Sequence, residues 1–304
     1  MDFLLDLNFW FTILRCTTPV LFATLSTMIA DRAGVLNIGV EGAMTISALC
    51  GVLTSGFTGN LYLGLLGGLT AGILFTMLLA YCVLKLRANA VITGIALNLA
   101  ADGGSVFALY SITGDKNASN SVHSLSFPAL NIPLVRDIPV LGKIISGQNV
   151  LTYLAFLSAI VIFIVLKRTS YGVRTRAVGE APMAAESVGI NVMKVRFQAM
   201  LISGILASLG GMYLSMGYVD RFTSGMVSGR GYIALATSAM AGGNAMMGMF
   251  SSILYGIGSA VSIYLQNKNM DPYLIAVIPY AAIILFYIIF SLYYKHKDKE
   301  KVTL

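Results

Sequence analysis

Charge is what this sequence most lacks. Of its 304 residues only 11% are Asp, Glu, Lys or Arg, against about 25% in soluble domains. So few charges do not cover the surface of a soluble protein this long, which excludes that class. The low polarity also excludes a disordered chain and a coiled coil. Cysteine is scarce. Cys16, Cys50 and Cys82 lie in apolar runs without a close cysteine partner, so neither a disulfide framework nor a zinc site is expected. The two histidines, His123 and His296, have no ligand-like neighbours, and no metal is expected. No P-loop is present: Gly142-Lys143 lacks the upstream glycine and the following hydroxyl. H-E-x-x-H, G-x-S-x-G and C-x-x-C are missing as well, so an enzyme is not expected.

Long apolar runs fill the space. Mean hydropathy is +0.81, and 57% of residues are apolar or aromatic. An all-α, polytopic membrane protein follows, organised as one domain over 1–304. Runs near 9–30, 38–55, 61–84, 91–110, 149–167, 197–216, 232–247, 249–266 and 274–294 predict about nine spans, within a range of eight to ten. The spans at 38–55 and 91–110 are polar enough to be broken or re-entrant. Only Gly248 separates the pair at 232–247 and 249–266. The opening MDFLLDLNFW carries Asp2 and Asp6 and no basic region, so it reads as part of a first span rather than a cleaved signal.

The net charge of +7 orients helices and does not call for nucleic acid. With the lysine tail Lys295 to Lys301 inside, alternation puts 13 of the 20 Lys and Arg on the cytoplasmic side. That supports a cytoplasmic C-terminus, and an odd span count puts the N-terminus outside. Residues 111–148 then form an outer loop able to carry short helices. Residues 168–196 form a basic cytoplasmic loop. Its centre, Glu180-Ala181-Pro182-Met183-Ala184-Ala185-Glu186, has Pro in a first-turn position. Gly189 can stop the short helix that results. Such a helix on a membrane face can dock into a groove of a soluble partner, or be a plain charged loop.

Glycine is abundant, at 31 residues. Gly64, Gly68 and Gly72 form a small-xxx-small ridge, and Gly204, Gly210 and Gly211 thin another helix; close helix packing is the reading. Three polar stretches interrupt the apolar runs. In Asp31-Arg32-Ala33-Gly34-Val35-Leu36-Asn37-Ile38-Gly39-Val40-Glu41-Gly42, Asn37 and Glu41 are spaced to share a helix side. A carboxylate in mid-membrane costs about 2.5–3.5 kcal/mol on insertion scales and needs partners. Glu41 either bonds backbone donors of a neighbouring broken helix or contacts a solute. Asp31 and Arg32 are spaced for a local ion pair. In the second stretch, Asn89 precedes a span that holds Thr93, Asn98, Asp102 and Ser105. The last three make one polar side, suited to a pore or to a hydrogen-bonded helix seam. The third, Ser228-Gly229-Arg230-Gly231-Tyr232-Ile233-Ala234-Leu235-Ala236, again runs from a glycine loop into a small-residue helix. Residues 34–42 and 229–236 start on opposite membrane sides, as an inverted repeat would.

These stretches, with Arg176-Ala177-Val178-Gly179-Glu180-Ala181-Pro182-Met183-Ala184-Ala185 and Gly189-Ile190, resemble one family. The chain is similar to permease subunits of bacterial ABC importers, in the group that includes branched-chain amino acid and simple-sugar permeases. Within the group it resembles nucleoside-type permeases that work with basic membrane lipoproteins. It departs from their pattern at Gly242-Gly243-Asn244-Ala245-Met246-Met247-Gly248, where an aromatic and a proline are common.

The resemblance implies a bacterial plasma-membrane importer subunit. Its expected partners are ATPase subunits, a second related permease (a heterodimer rather than a homodimer), a solute-capturing lipoprotein and membrane lipid. ATP and Mg would sit on the ATPases, with no cofactor on this chain. Gly179, Glu180, Ala181, Pro182, Ala184, Ala185, Gly189 and Ile190 would couple to the ATPase. Asn37, Glu41, Asn89, Thr93 and Asn98 are the candidate pathway residues. A sugar importer of the same build is the near alternative. An ATP-independent secondary transporter would need a deep titratable pair, and only Glu41, Asp102 and Arg15 come near one.

Overall fold

Asparagine marks where several of the helices begin. In the computed structural model, which describes residues 7–130, 146–266, 275 and 277–288, the side chains of Asn60, Asn89, Asn149 and Asn191 each accept from a backbone N–H of the first turn that follows. Thr169 does the same for Gly172. The order is α1 (Leu7–Arg32), α2 (Val40–Thr58), α3 (Leu61–Ala80, prolonged by a π-turn at Tyr81–Lys85) and α4 (Ala90–Thr113). Then come β1 (Ala129–Leu130), β2 (Gln148–Asn149), α5 (Val150–Arg168), α6 (Ser170–Glu180) and α7 (Pro182–Ser187). α8 (Val192–Met212, prolonged by a π-turn at Tyr213–Tyr218), α9 (Arg230–Ala241), α10 (Ala245–Gln266) and α11 (Val277–Ile288) complete it. β1 and β2 pair antiparallel, Ala129 opposite Asn149.

Among the described residues, seven helices are long and apolar enough to cross a membrane. The expectation of a span at 232–247 is corrected. α9 has 12 residues, about 18 Å at 1.5 Å per residue, short of a 30 Å hydrocarbon layer. It stops at Gly242 because Gly242 and Gly243 both take positive φ, +53° and +74°. α2 and α4, read as polar enough to be broken or re-entrant, are each one continuous helix of 19 and 24 residues. The irregular backbone lies just before α2, at residues 33–39, and before α9, at 219–229. The span expected at 274–294 is described only in part. In the outer loop 111–148, expected to be able to carry short helices, residues 114–130 and 146–149 form none, and 131–145 lie outside the described residues, as does the lysine tail.

α1 and α8 form the buried centre. They meet through Ser26 and Ser203, whose hydroxyls are 2.8 Å apart. α1 packs against α9 and α10, while α8 packs against α2 and α3. The glycine ridge of α3 fits this: a β-carbon at Gly64 would lie 2.6 Å from that of Ser55 on α2. One at Gly211 of α8 would fall on the carbonyl oxygen of Met44, a backbone atom that cannot turn aside. Gly211→Ala is therefore expected to cost about 1–3 kcal/mol. Size-exclusion after graded heating of the purified chain checks this, and unchanged heat resistance would refute the close fit.

The molecule has two distinguishable ends. At one, residues 117–119 bond residues 222–224, with Ser119 N–H to Phe222 O at 2.9 Å and Ser224 N–H to Asn117 O at 2.8 Å. At the other, α6 and α7 lie beside the C-terminal end of α1.

Candidate functional site

Helices α2 and α9 begin at Gly39 and Gly229, and neither residue has a side chain to cap its helix. Both starts lie inside the bundle, where unbonded N–H groups are costly. Other helices supply the acceptors. Glu41, 5% exposed, caps α9: its Oε1 accepts from Gly229 N–H at 2.7 Å and its Oε2 from Gly231 N–H at 2.6 Å. The negative carboxylate also suits the positive end of a helix. Asn98 of α4 caps α2. Its Oδ1 accepts from Gly42 N–H, and its Nδ2 donates to Ile38 O and to the Tyr232 hydroxyl, each at 2.9 Å. Gly231 has to be glycine, since a β-carbon there would sit 2.6 Å from Glu41 N. Asn37 is buried and donates to Ser203 Oγ at 2.8 Å, while its Oδ1 has no partner among the described residues. This knot joins α2, α4, α8 and α9 in the bundle interior. Beside it lies a cavity of about 200 Å³ whose lining includes Arg15, Tyr218, Arg230, Tyr255 and Tyr280. The Arg15 guanidinium stands 4.5 Å over the Tyr218 ring.

A second group of residues gathers at the α6 end. Gly179 packs so tightly against Arg32 that a β-carbon would fall on the Arg32 carbonyl oxygen. Arg196 Nε donates to Ala33 O at 3.2 Å. The Arg32 guanidinium was expected to pair with Asp31. It instead donates to the Gly242 and Gly243 carbonyl oxygens, which α9 leaves free at its C-terminal end. Beyond this junction α7 projects outward. Ala185 is buried against Val178 and Val195, and Ile190 N–H returns to Ala185 O at 3.0 Å. Met183 and Val188, by contrast, are 85% and 75% exposed. The result is a short, pinned knob with an apolar tip.

Against known proteins, the family model described as branched-chain amino acid transport system / permease component matches residues 9–291. The chain belongs to this permease family. It is a membrane-embedded transport component with several spanning helices. It is 36% identical to the nucleoside ABC transporter permease protein NupC of Lactococcus lactis subsp. cremoris, over 68% of this chain and 67% of that one. It is 38% identical to the guanosine ABC transporter permease protein NupQ of Bacillus subtilis, over 64% and 62%. A putative glucose ABC transporter permease protein of Haloferax volcanii, TsgC13, is 32% identical over 85% and 78%. The chain thus spans less than two thirds of NupQ. No solved structure matches.

In this permease the residues singled out by sequence separate into two places. Glu41, Asn98 and Asn37 meet in the interior knot. Asn89 stands apart as the cap of α4, bonding Val91 and Ile92 N–H, and Thr93 follows it half-buried in the first turn. Of the two roles open to Glu41, the hydrogen bonds are those of a cap on the neighbouring helix. At the other place, Gly179 and Ala185 are anchors, Pro182 opens α7, and Gly189 closes it with φ +84°. Ile190 is half-buried, and Glu180, Ala181 and Ala184 are exposed. Sequence reasoning missed Tyr232 and Arg32 as joints, and Met183 and Val188 as the exposed tip.

Proposed function

We propose that this chain is the permease subunit of an ATP-driven nucleoside importer. The observation that carries it is the pinned α7 knob, joined through Gly179 to Arg32 and thus to the C-terminal end of α9. A soluble ATPase that grips Met183 and Val188 would move α6, the end of α1 and the C-terminal end of α9 together. The names of NupC and NupQ support nucleosides as the solute. In this reading the α6 end is cytoplasmic, with residues 168–196 as the coupling segment and 111–148 outside, within one permease domain. ATP and Mg bind the partner ATPases. A related permease chain completes the pathway, and a lipoprotein delivers the solute.

The polypeptide crosses nine times, one crossing being made by the irregular 219–229 segment plus α9. That leaves the N-terminus outside and the C-terminus inside. The neighbour pattern supports an inverted repeat: exchanging α1 with α8, α2 with α9 and α3 with α10 maps the main packing pairs among these six helices onto one another. A sugar importer is the second reading, favoured by the longer match to TsgC13. Uptake of labelled guanosine by cells expressing the full operon separates them. Unlabelled nucleosides are expected to compete at least tenfold better than glucose or ribose. Competition by a sugar and not by nucleosides would replace the first reading with the second.

A further inference from the structure

We infer that Asp102, on the open side of α4, receives the vicinal hydroxyl groups of the solute's sugar midway through the bundle; this rests on the nucleoside reading. Asp102 is the middle of a 24-residue helix, about 17 Å of helix from either end. Its short side chain cannot reach a headgroup region from there. Yet it is exposed, unlike Glu41. Its one hydrogen bond to another helix is from Thr45 Oγ1, at 3.5 Å, the limit of such a bond. Most of the carboxylate's acceptor positions therefore point at whatever lies outside this chain. Lipid tails do not satisfy a carboxylate, so that space holds water, a polar ligand or a donor of a neighbouring chain.

The next two residues argue for a ligand. Gly103 and Gly104 weaken a helix interior, and none of the described residues explains them: a β-carbon on either would meet no described atom within 4 Å. On the same helix, Gly94 is explained by Ile38, 2.7 Å from its would-be β-carbon. The pair makes a bare backbone step beside the carboxylate. One turn further on, Phe107 is exposed, as is Tyr110 beyond it. An anionic acceptor, a flat step and aromatic rings match a solute with adjacent hydroxyls on one part and a planar ring on the other. A packing surface for the second permease would account for the glycines. It would also bury the carboxylate, which would then need a donor from the partner.

The test uses the whole importer in cells, with Asp102→Asn and Asp102→Glu, and labelled guanosine and 2′-deoxyguanosine as solutes. Each rate is divided by the wild-type rate for the same solute, which cancels discrimination by the solute-capturing partner. Asp102→Asn is expected to slow guanosine about tenfold, because a hydrogen bond to a charged group is lost, and 2′-deoxyguanosine less than threefold. Asp102→Glu, which keeps the charge, is expected to recover part of the guanosine rate relative to Asp102→Asn. Equal slowing of both solutes, or no slowing, overturns the assignment and leaves the nucleoside reading intact. Loss of the partner permease on purification of Asp102→Asn also overturns it, making Asp102 an assembly residue. A wild-type importer that takes up neither solute overturns the nucleoside reading itself, and the inference with it.

Discussion

Replacing Glu41 by Gln is expected to destabilise the bundle by about 3 kcal/mol without changing which solutes are carried. Glu41 holds the Gly229 and Gly231 N–H groups with one oxygen each, at 2.7 and 2.6 Å. Charge-assisted bonds of this kind contribute about 1.5–3 kcal/mol apiece. Gln keeps one oxygen. Its other arm is an NH2 group that faces an N–H donor across hydrogen-bond distance. The start of α9 would then lose its cap, and its dipole would lose the opposing charge. Heat-induced loss of the monodisperse peak in mild detergent should shift downward by about 5–10 °C. The amount of folded chain in the membrane should fall with it. An unchanged melting point together with an altered solute preference would mean that Glu41 contacts the solute, and the capping role would have to be abandoned.

Met183→Asp is expected to have the opposite character: transport lost, fold kept. Met183 is 85% exposed at the tip of α7. Exposed substitutions usually change stability by no more than about 0.5 kcal/mol. If the tip fits an apolar groove on an ATPase, however, a carboxylate there is buried unpaired. Central interface residues commonly account for about 2 kcal/mol or more. Uptake is expected to fall about 30-fold or more, with less ATPase retained on purification through the permease and with unchanged thermal stability. Normal uptake by this variant would remove the coupling role from α7 and weaken the case for an ATP-driven importer.

The two substitutions show how differently sequence and structure reveal a site. The knob was legible locally: Pro182 opens the helix and Gly189 ends it within a single short stretch. The starts of α3, α4 and α5 fell where apolar runs begin, beside Asn60, Asn89 and Asn149, whereas α8 starts at Val192 under its Asn191 cap, ahead of the run expected from 197. The knot was visible only as three polar interruptions. Glu41 and Gly231 are 190 positions apart, and no periodicity links them. Asn98 illustrates the same limit. A polar residue inside an apolar run suggested a broken helix, whereas its side chain turns to Gly42 and Ile38 and leaves α4 continuous.

α9 failed in the other direction. Apolar residues continue past 241, so hydropathy ran the span on to 247. The positive φ of Gly242 and Gly243 ended it, with Arg32 bonding the carbonyl groups left over. Residue composition by itself determined that this chain lives in a bilayer, where its long helices run and which segment is basic and helix-competent at one face. Those properties are sums over neighbours in sequence, and burial of apolar surface depends on little else. Tertiary structure alone decided which buried acceptors cap which helix starts, where α9 stops and which carboxylate is left open. Hydrogen bonds are directional and short, and their partners become neighbours only after the chain has folded.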